Sequence, residues 1–440
     1  MFGSKLYNIL TAFLTFFMIL SYVIKVPMLM VIVVAVLCVM IFLGNAKSST
    51  ALLFYFNAFS YIMAYNNYNL YVFVIISYIL ASLRFGKISS NSFVFIICVI
   101  SYSLVITMFG SRSYKIGDFI SIISLMAVFF VCNSVKQEYF EDVTNSFILG
   151  FFITSIIGFF ASEIPALNEI LTHDTLWISG TGILSVTKSR YTGLTSDTNA
   201  FGFICCIVIS ILLFRKHTKH KILINPAILY FIVVGAYTYS KTYVLILSII
   251  LIIYSFQVDR MLLNRILLVV LFVLFVIALD YIFEFDIIKP IIGRFNRTRD
   301  SNVSDMTTGR SEIWIRYIKH IFLNGSSVIF GAGLGSDIYR QSEHNTFIEC
   351  IYKFGAFGTL IWYKYFNSSY NKLKEKSYVK TIKYSWVPLL VCLVYMFVLS
   401  SMTFKSFPII VCMVMFNLLQ IDDKSSKLTE ESQVNISLEH

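Results

Sequence analysis

Long apolar runs of Leu, Ile, Val, Phe and Met alternate with short polar stretches along most of the chain. They fall near 6–24, 27–43, 50–65, 68–84, 92–109, 116–133, 143–162, 199–214, 222–239, 242–256, 262–281, 345–363, 384–401 and 406–421. A run of ~20 apolar residues predicts a helix that crosses a bilayer, whereas barrel strands would show alternating segments of about ten. The expectation is an all-α polytopic integral membrane protein of about 12–14 transmembrane helices. Several runs are short for a full crossing, so adjacent pairs such as the third and fourth could be re-entrant instead.

The breaks in this pattern set the organisation. Residues 1–162 form an N-terminal group of spans, 163–198 a first loop, 199–281 a central group, 282–344 a large second loop, 345–421 a C-terminal group and 422–440 a polar tail. Within the large loop, "GRSEIWIRYIKHIF" puts Ile313, Trp314, Tyr317, Ile318, Ile321 and Phe322 on one helical face. Glu312, Arg316, Lys319 and His320 fall on the other. That is an amphipathic helix suited to a membrane surface. The glycine-rich turn "GAGLGS" at 331–336 follows it.

Composition supports the same class. Hydrophobic residues make up 58% of the chain and charged residues 13%, well away from the apolar share of ~45–50% in soluble domains. The formal net charge of +11 invites a nucleic-acid reading, but the basic residues are not gathered into a soluble module. Their distribution is topological. With the N-terminus inside, nineteen basic residues fall on the inner side, including a six-lysine run from Lys364 to Lys383, while short outer loops hold Lys25, Arg112, Lys115, Lys241 and Lys405. The positive-inside rule then places both termini in the cytoplasm and the two long loops outside. The N-terminal stretch has no small-residue cleavage site and reads as a retained first span. All eight cysteines lie in apolar runs, where they act as small hydrophobes rather than as disulfide or metal ligands.

Three outer places put a cationic or titratable group beside the start of an apolar helix: "SRYTGLTSDTNAFG" at 189–202, "TTGRSEIW" at 307–314 and "EHNTFIECIYKFGAFG" at 343–358. Arg190 precedes a turn with Asp197 and Asn199 at a helix start. It is either an interfacial arginine that snorkels or a guanidinium fork for a diphosphate. Arg310 stands at the start of the amphipathic helix, where the dipole disfavours a cation, which hints at a ligand. Arg294, Arg297 and Arg299 are either a solvated face or a basic funnel. His344 could take a proton from an attacking hydroxyl or simply anchor its helix. Glu349, inside the apolar run, is a functional candidate or the partner of a neighbouring helix's lysine. Gly355 and Gly358 permit close helix approach. No nucleotide loop, zinc spacing or nucleophile elbow is present, and the clean spans argue against ion transport.

Together the three places resemble the bacterial O-antigen ligase and polymerase superfamily of polytopic glycosyltransferases. The resemblance rests on His344-Asn345, then nine residues, Gly355, two residues and Gly358. It extends to "RYTGLTSDTNAFG" and to a Gly-Arg-x-x-x-Trp segment leading into a Gly-x-Gly turn, so that it covers about 189–360. Where the family often has Ser-Arg at the outer end of a span, this chain has Ser240-Lys241; a lysine neutralises a phosphate but does not fork onto it.

The resemblance implies a glycan carried on undecaprenyl diphosphate as donor, and a second such molecule as acceptor, at the outer face of a bacterial plasma membrane. It implies His344 as general base, with Arg190 and Arg310 holding the diphosphate and Lys241 assisting. Asn345, Glu349, Asn199 and Arg294 would play supporting parts. The donor is already activated, so neither metal nor nucleotide cofactor is expected. The expected partners are membrane lipid and a chain-length regulator protein, and no nucleic acid. The first reading is a polymerase of O-antigen or capsular repeat units. A ligase moving the finished chain to lipid A core uses the same donor chemistry, and a flippase of the same glycan would need no general base.

Overall fold

The structure, a computed structural model, describes residues 5–65, 68–85, 90–110, 116–159, 191–195, 197–215, 221–257, 310–323, 325–334, 344–376, 384–400, 404 and 406–419. Arg190, Arg294 and the run at 262–281 lie outside the described residues.

The elements in chain order are α1 (Lys5–Val23), α2 (Pro27–Leu43), α3 (Ala46–Asn57), β1 (Ala64–Tyr65), β2 (Tyr68–Asn69), α4 (Tyr71–Phe85), α5 (Ser90–Gly110) and α6 (Ile116–Ser134). They continue as α7 (Phe140–Phe159), α8 (Thr198–Phe214), α9 (Lys221–Ala236), α10 (Lys241–Gln257), α11 (Arg310–Leu323), α12 (Gly325–Phe330), α13 (Thr346–Glu375), α14 (Val387–Val398) and α15 (Phe407–Leu418). The fold is all-α; among the described residues β1 and β2 are the only strand pair. Among the described residues, two helical stretches, Ser92–Phe109 and Gln137–Phe159, are long and apolar enough to cross a membrane by length and composition, and the other apolar stretches described run 10–17 residues.

Helix starts follow their caps. Asn45 and Ser48 form a reciprocal capping box at α3, and prolines open α2, α14 and α15, where a missing N–H costs nothing. The core is continuous and aromatic. Phe416 of α15 stacks between Phe54 of α3 and Phe140 of α7, with centroids 5.8 and 4.5 Å away. At Gly150 of α7 a Cβ would lie 2.4 Å from the Tyr55 carbonyl oxygen, so α3 and α7 need that glycine to pack.

Two elements differ from the sequence expectation. The apolar run at 50–65 does not stay helical: α3 ends at Asn57 and the chain turns into the β1–β2 hairpin. The Asn69 side-chain amide donates to the Ser60 carbonyl at 2.9 Å and stabilises that turn. The run that begins at 345 extends to Glu375, but it is broken at Gly355, whose φ of 66° and ψ of 179° are essentially closed to other residues.

The break is where α12 docks. Gly331, with φ of 85°, crosses Gly355 backbone on backbone: a Cβ on Gly331 would sit 2.4 Å from the Lys353 carbonyl oxygen, and one on Gly355 2.3 Å from that of Ile329. Carbonyls that a continuous helix would use internally are satisfied from outside. Ala332 N–H donates to Tyr352 at 2.8 Å, Gly333 N–H to Lys353 at 3.0 Å, and the Tyr102 hydroxyl of α5 to Phe354 at 2.8 Å. Gly358 packs against the Tyr102 ring. The glycine-rich turn is thus part of the α13 core rather than a surface link.

Candidate functional site

The N-terminal ends of α8, α10, α11 and α13 carry the residues singled out from the sequence. Asp197 caps α8, its carboxylate accepting from Asn199 N–H at 2.6 Å and Ala200 N–H at 3.1 Å. The Ser240 hydroxyl then donates to the Asn199 side-chain oxygen at 2.9 Å, which ties the start of α10 to the start of α8. Lys241, half-buried, is the first residue of α10. Tyr239, just before, has a positive φ of 47°.

A parallel arrangement fixes α13. Asn345 caps it by accepting from Phe347 N–H at 3.0 Å and Ile348 N–H at 3.1 Å. Its amide also donates to the Phe397 carbonyl at 3.1 Å, and the Thr346 hydroxyl donates to that of Leu399 at 2.7 Å. Both bonds clamp the start of α13 to the end of α14. His344 is the residue left outside the clamp, with φ of 49°. That left-handed conformation is uncommon for a non-glycine residue and persists only where its surroundings enforce it.

Arg310, the first residue of α11, is close enough to act electrostatically on His344. Burial first, and the Arg310 charge second, hold the imidazole down at about 4. His344 is therefore held in its neutral form at physiological pH. Tyr395 of α14 stacks on Phe203 of α8 at a centroid distance of 3.6 Å, and it lies within electrostatic reach of Asp197, Arg310 and Tyr61. Arg310, His344, Asp197 and Tyr395 thus share one neighbourhood, to which Asn199 and Ser240 are tied through Asp197, with Lys241 the next residue in the chain.

Every helix that contributes here does so by its N-terminus except α14. Such ends carry partial positive charge, and Arg310 and Lys241 add full charges against the dipole preference. Asp197 and Asn345 already cap two of these ends, so attraction for an anion would come mainly from the Arg310 and Lys241 charges.

Glu349 lies deeper in α13 and is fully buried, paired with Lys353 at 3.1 Å. That partner is on the same helix, four residues along, where the sequence reading looks to a neighbouring helix. The spacing "ECIYK" carried that signal. Tyr395 and Tyr61 had no such mark, since a tyrosine in an apolar run reads as core.

The amphipathic helix forms where expected, as α11. Part of its apolar face is taken by protein: Tyr317 and Ile321 pack on Tyr352 of α13, with Ile313 beside them. Ile315, Ile318 and Phe322 remain exposed. Comparison with family models, with curated proteins and with solved structures finds no match to this chain.

Proposed function

We propose that this chain is a polytopic membrane glycosyltransferase that polymerises undecaprenyl-diphosphate-linked repeat units into surface polysaccharide at the outer face of a bacterial plasma membrane. Its membrane setting is supported by apolar stripes left outside an already apolar core: Ile9, Phe13 and Phe16 on α1, and Met28, Ile32, Val36, Val39 and Leu43 on α2, are all exposed. Water would not tolerate such stripes at this scale. Tyr102 lies about 12 Å along the helix axis from the outer end of α5, and Gly355 about 14 Å from the start of α13. The Gly331 crossing would then lie inside the hydrocarbon, where irregular backbone persists only if protein satisfies its hydrogen bonds, as Tyr352, Lys353 and Tyr102 do here.

The observation that carries the catalytic reading is Arg310 beside a neutral, backbone-constrained His344 at a gathering of helix N-termini. In the reaction the acceptor sugar hydroxyl attacks the anomeric carbon of the donor. A carbon–oxygen bond forms, the bond to the diphosphate breaks, and its electron pair leaves with undecaprenyl diphosphate. The hydroxyl proton passes to the His344 imidazole. Arg310, Lys241 and Arg190 hold the developing charge on the leaving group. The donor diphosphate also offsets the Arg310 field, so His344 becomes more basic when substrate is bound. Motif resemblance to the O-antigen ligase and polymerase superfamily supports the same assignment.

Deletion of the gene tests this. Surface glycan on a gel should collapse to a single repeat unit on its terminal acceptor. Long chains retained on the lipid carrier would instead assign the ligase step, and an unchanged ladder would contradict both.

A further inference from the structure

Between Lys47 and Arg84 the sequence contains no charged residue, yet the turn at the outer end of α3 is rich in tyrosine: Tyr61, Tyr65 and Tyr68. Its base is rigid. α3 is almost wholly buried, Asn57 donates to the Tyr71 hydroxyl at 3.1 Å, Leu70 N–H donates to the Met63 carbonyl at 2.8 Å, and Asn69 closes onto Ser60. Tyr65 and Tyr68 are direct cross-strand partners, so their side chains leave the same face of the hairpin. Tyr68 is 57% exposed, while Tyr61 and Tyr65 are half-buried.

This hairpin is continuous with the candidate site. The Tyr61 ring meets Phe404 at 6.5 Å, and Phe404 meets Tyr395 at 6.3 Å. Tyr395 is in turn within electrostatic reach of Arg310 and Asp197. A tyrosine that only anchored the protein at a lipid surface would face outward, whereas the Tyr61 ring turns inward onto Phe404 and lies within electrostatic reach of Tyr395.

We infer that Tyr61, Tyr65 and Tyr68 form the sugar-binding lip that receives the acceptor end of the glycan beside His344. The inference rests on the proposed function and divides the labour within it. The helix N-termini and cations suit a diphosphate. The uncharged, aromatic hairpin suits a neutral sugar, whose C–H faces stack on rings and whose hydroxyls bond to phenol oxygens.

The test uses the full-length protein in lipid nanodiscs, with lipid-linked repeat units as donor and the same repeat-unit oligosaccharide, released from its carrier by mild acid, as soluble acceptor. Tyr61→Ala with Tyr68→Ala should raise the acceptor KM by about two- to tenfold per ring lost, leaving the donor KM and kcat near wild type. Tyr61→Phe with Tyr68→Phe should recover most of that loss, because the rings remain. Wild-type chain growth with an unchanged acceptor KM in the double alanine variant would overturn the lip and leave the proposed function standing. A wild-type protein that neither extends chains nor binds the released oligosaccharide in saturation-transfer NMR would overturn both. A purely anchoring role would lower thermal stability without moving the acceptor KM.

Discussion

At His344 the backbone is left-handed, and burial and then the Arg310 charge hold the imidazole neutral; the proposed general base and a merely anchoring histidine then predict different outcomes. His344→Gln can accept a hydrogen bond but takes no proton at neutral pH, so it should lower chain growth by roughly 10²- to 10⁴-fold while donor binding persists. A structural histidine would tolerate that change. The pH profile carries a second signature. kcat/KM, which reports the free protein, should stay flat through 6.5 and fall only as pH approaches about 4. The kcat profile should break at higher pH, because the bound diphosphate opposes Arg310. Stability follows the same group: between 6.5 and about 4 the unfolded chain takes up a proton that folded His344 refuses, so stability is lost as pH falls through that window. Arg310→Gln should raise the His344 midpoint in an NMR titration, but not to 6.5, since burial is the larger cause. Arg310→Lys keeps the charge and loses the fork. Its expected cost is about 1.5–3 kcal/mol, on the order of ten- to a hundredfold in rate.

Among the elements, α13 concentrates the most unusual structure: a capped start, a buried ion pair and a glycine break within one helix. Glu349→Gln strands the Lys353 charge and should destabilise the protein by about 3–5 kcal/mol. Glu349→Gln with Lys353→Met removes both charges and should recover most of that loss. Thermal unfolding in detergent measures both; equal loss in the single and double variants would show that the pair is not what matters there. Gly355→Ala combines a forbidden φ with a backbone collision at the Ile329 carbonyl, and is expected to prevent stable assembly. The helix and its amphipathic neighbour α11 were legible in the sequence as apolar runs and a 3.6-residue period. The ion pair was marked by its four-residue spacing, although the sequence reading looks for the lysine on a neighbouring helix. The break was not, because a glycine in an apolar run reads as helix packing, and its partner, Gly331, comes from a distant segment. The hairpin after α3 was hidden for the converse reason: "AFSYIMAY" keeps the apolar character of the helix it follows, and the strand pairing together with the Leu70–Met63 and Asn69–Ser60 bonds reveals the turn.

For the whole molecule, the arrangement requires that the helix ends bearing Arg310, His344 and Lys241 face outward together. The distribution of loop charges predicts that orientation. Cysteines introduced at Ser301 and Ser377 should separate cleanly, with an impermeant thiol reagent labelling 301 in intact cells and sparing 377. The reverse pattern would put His344 on the wrong side of the membrane from the lipid-linked donor. Arg310 and His344 were marked by motif resemblance and Asp197 by the helix-start turn that it shares with Asn199, whereas Tyr395 and Tyr61 entered the neighbourhood only through packing of α3 and α14. The most direct test is reconstitution of the purified protein in liposomes with lipid-linked repeat units as sole substrate, without nucleotide or added metal. Wild-type protein should convert them into a ladder of chains with release of undecaprenyl diphosphate, and the His344→Ala protein, equally folded, should bind the donor and yield none. A ladder of normal length and rate from His344→Ala would contradict catalysis at this site.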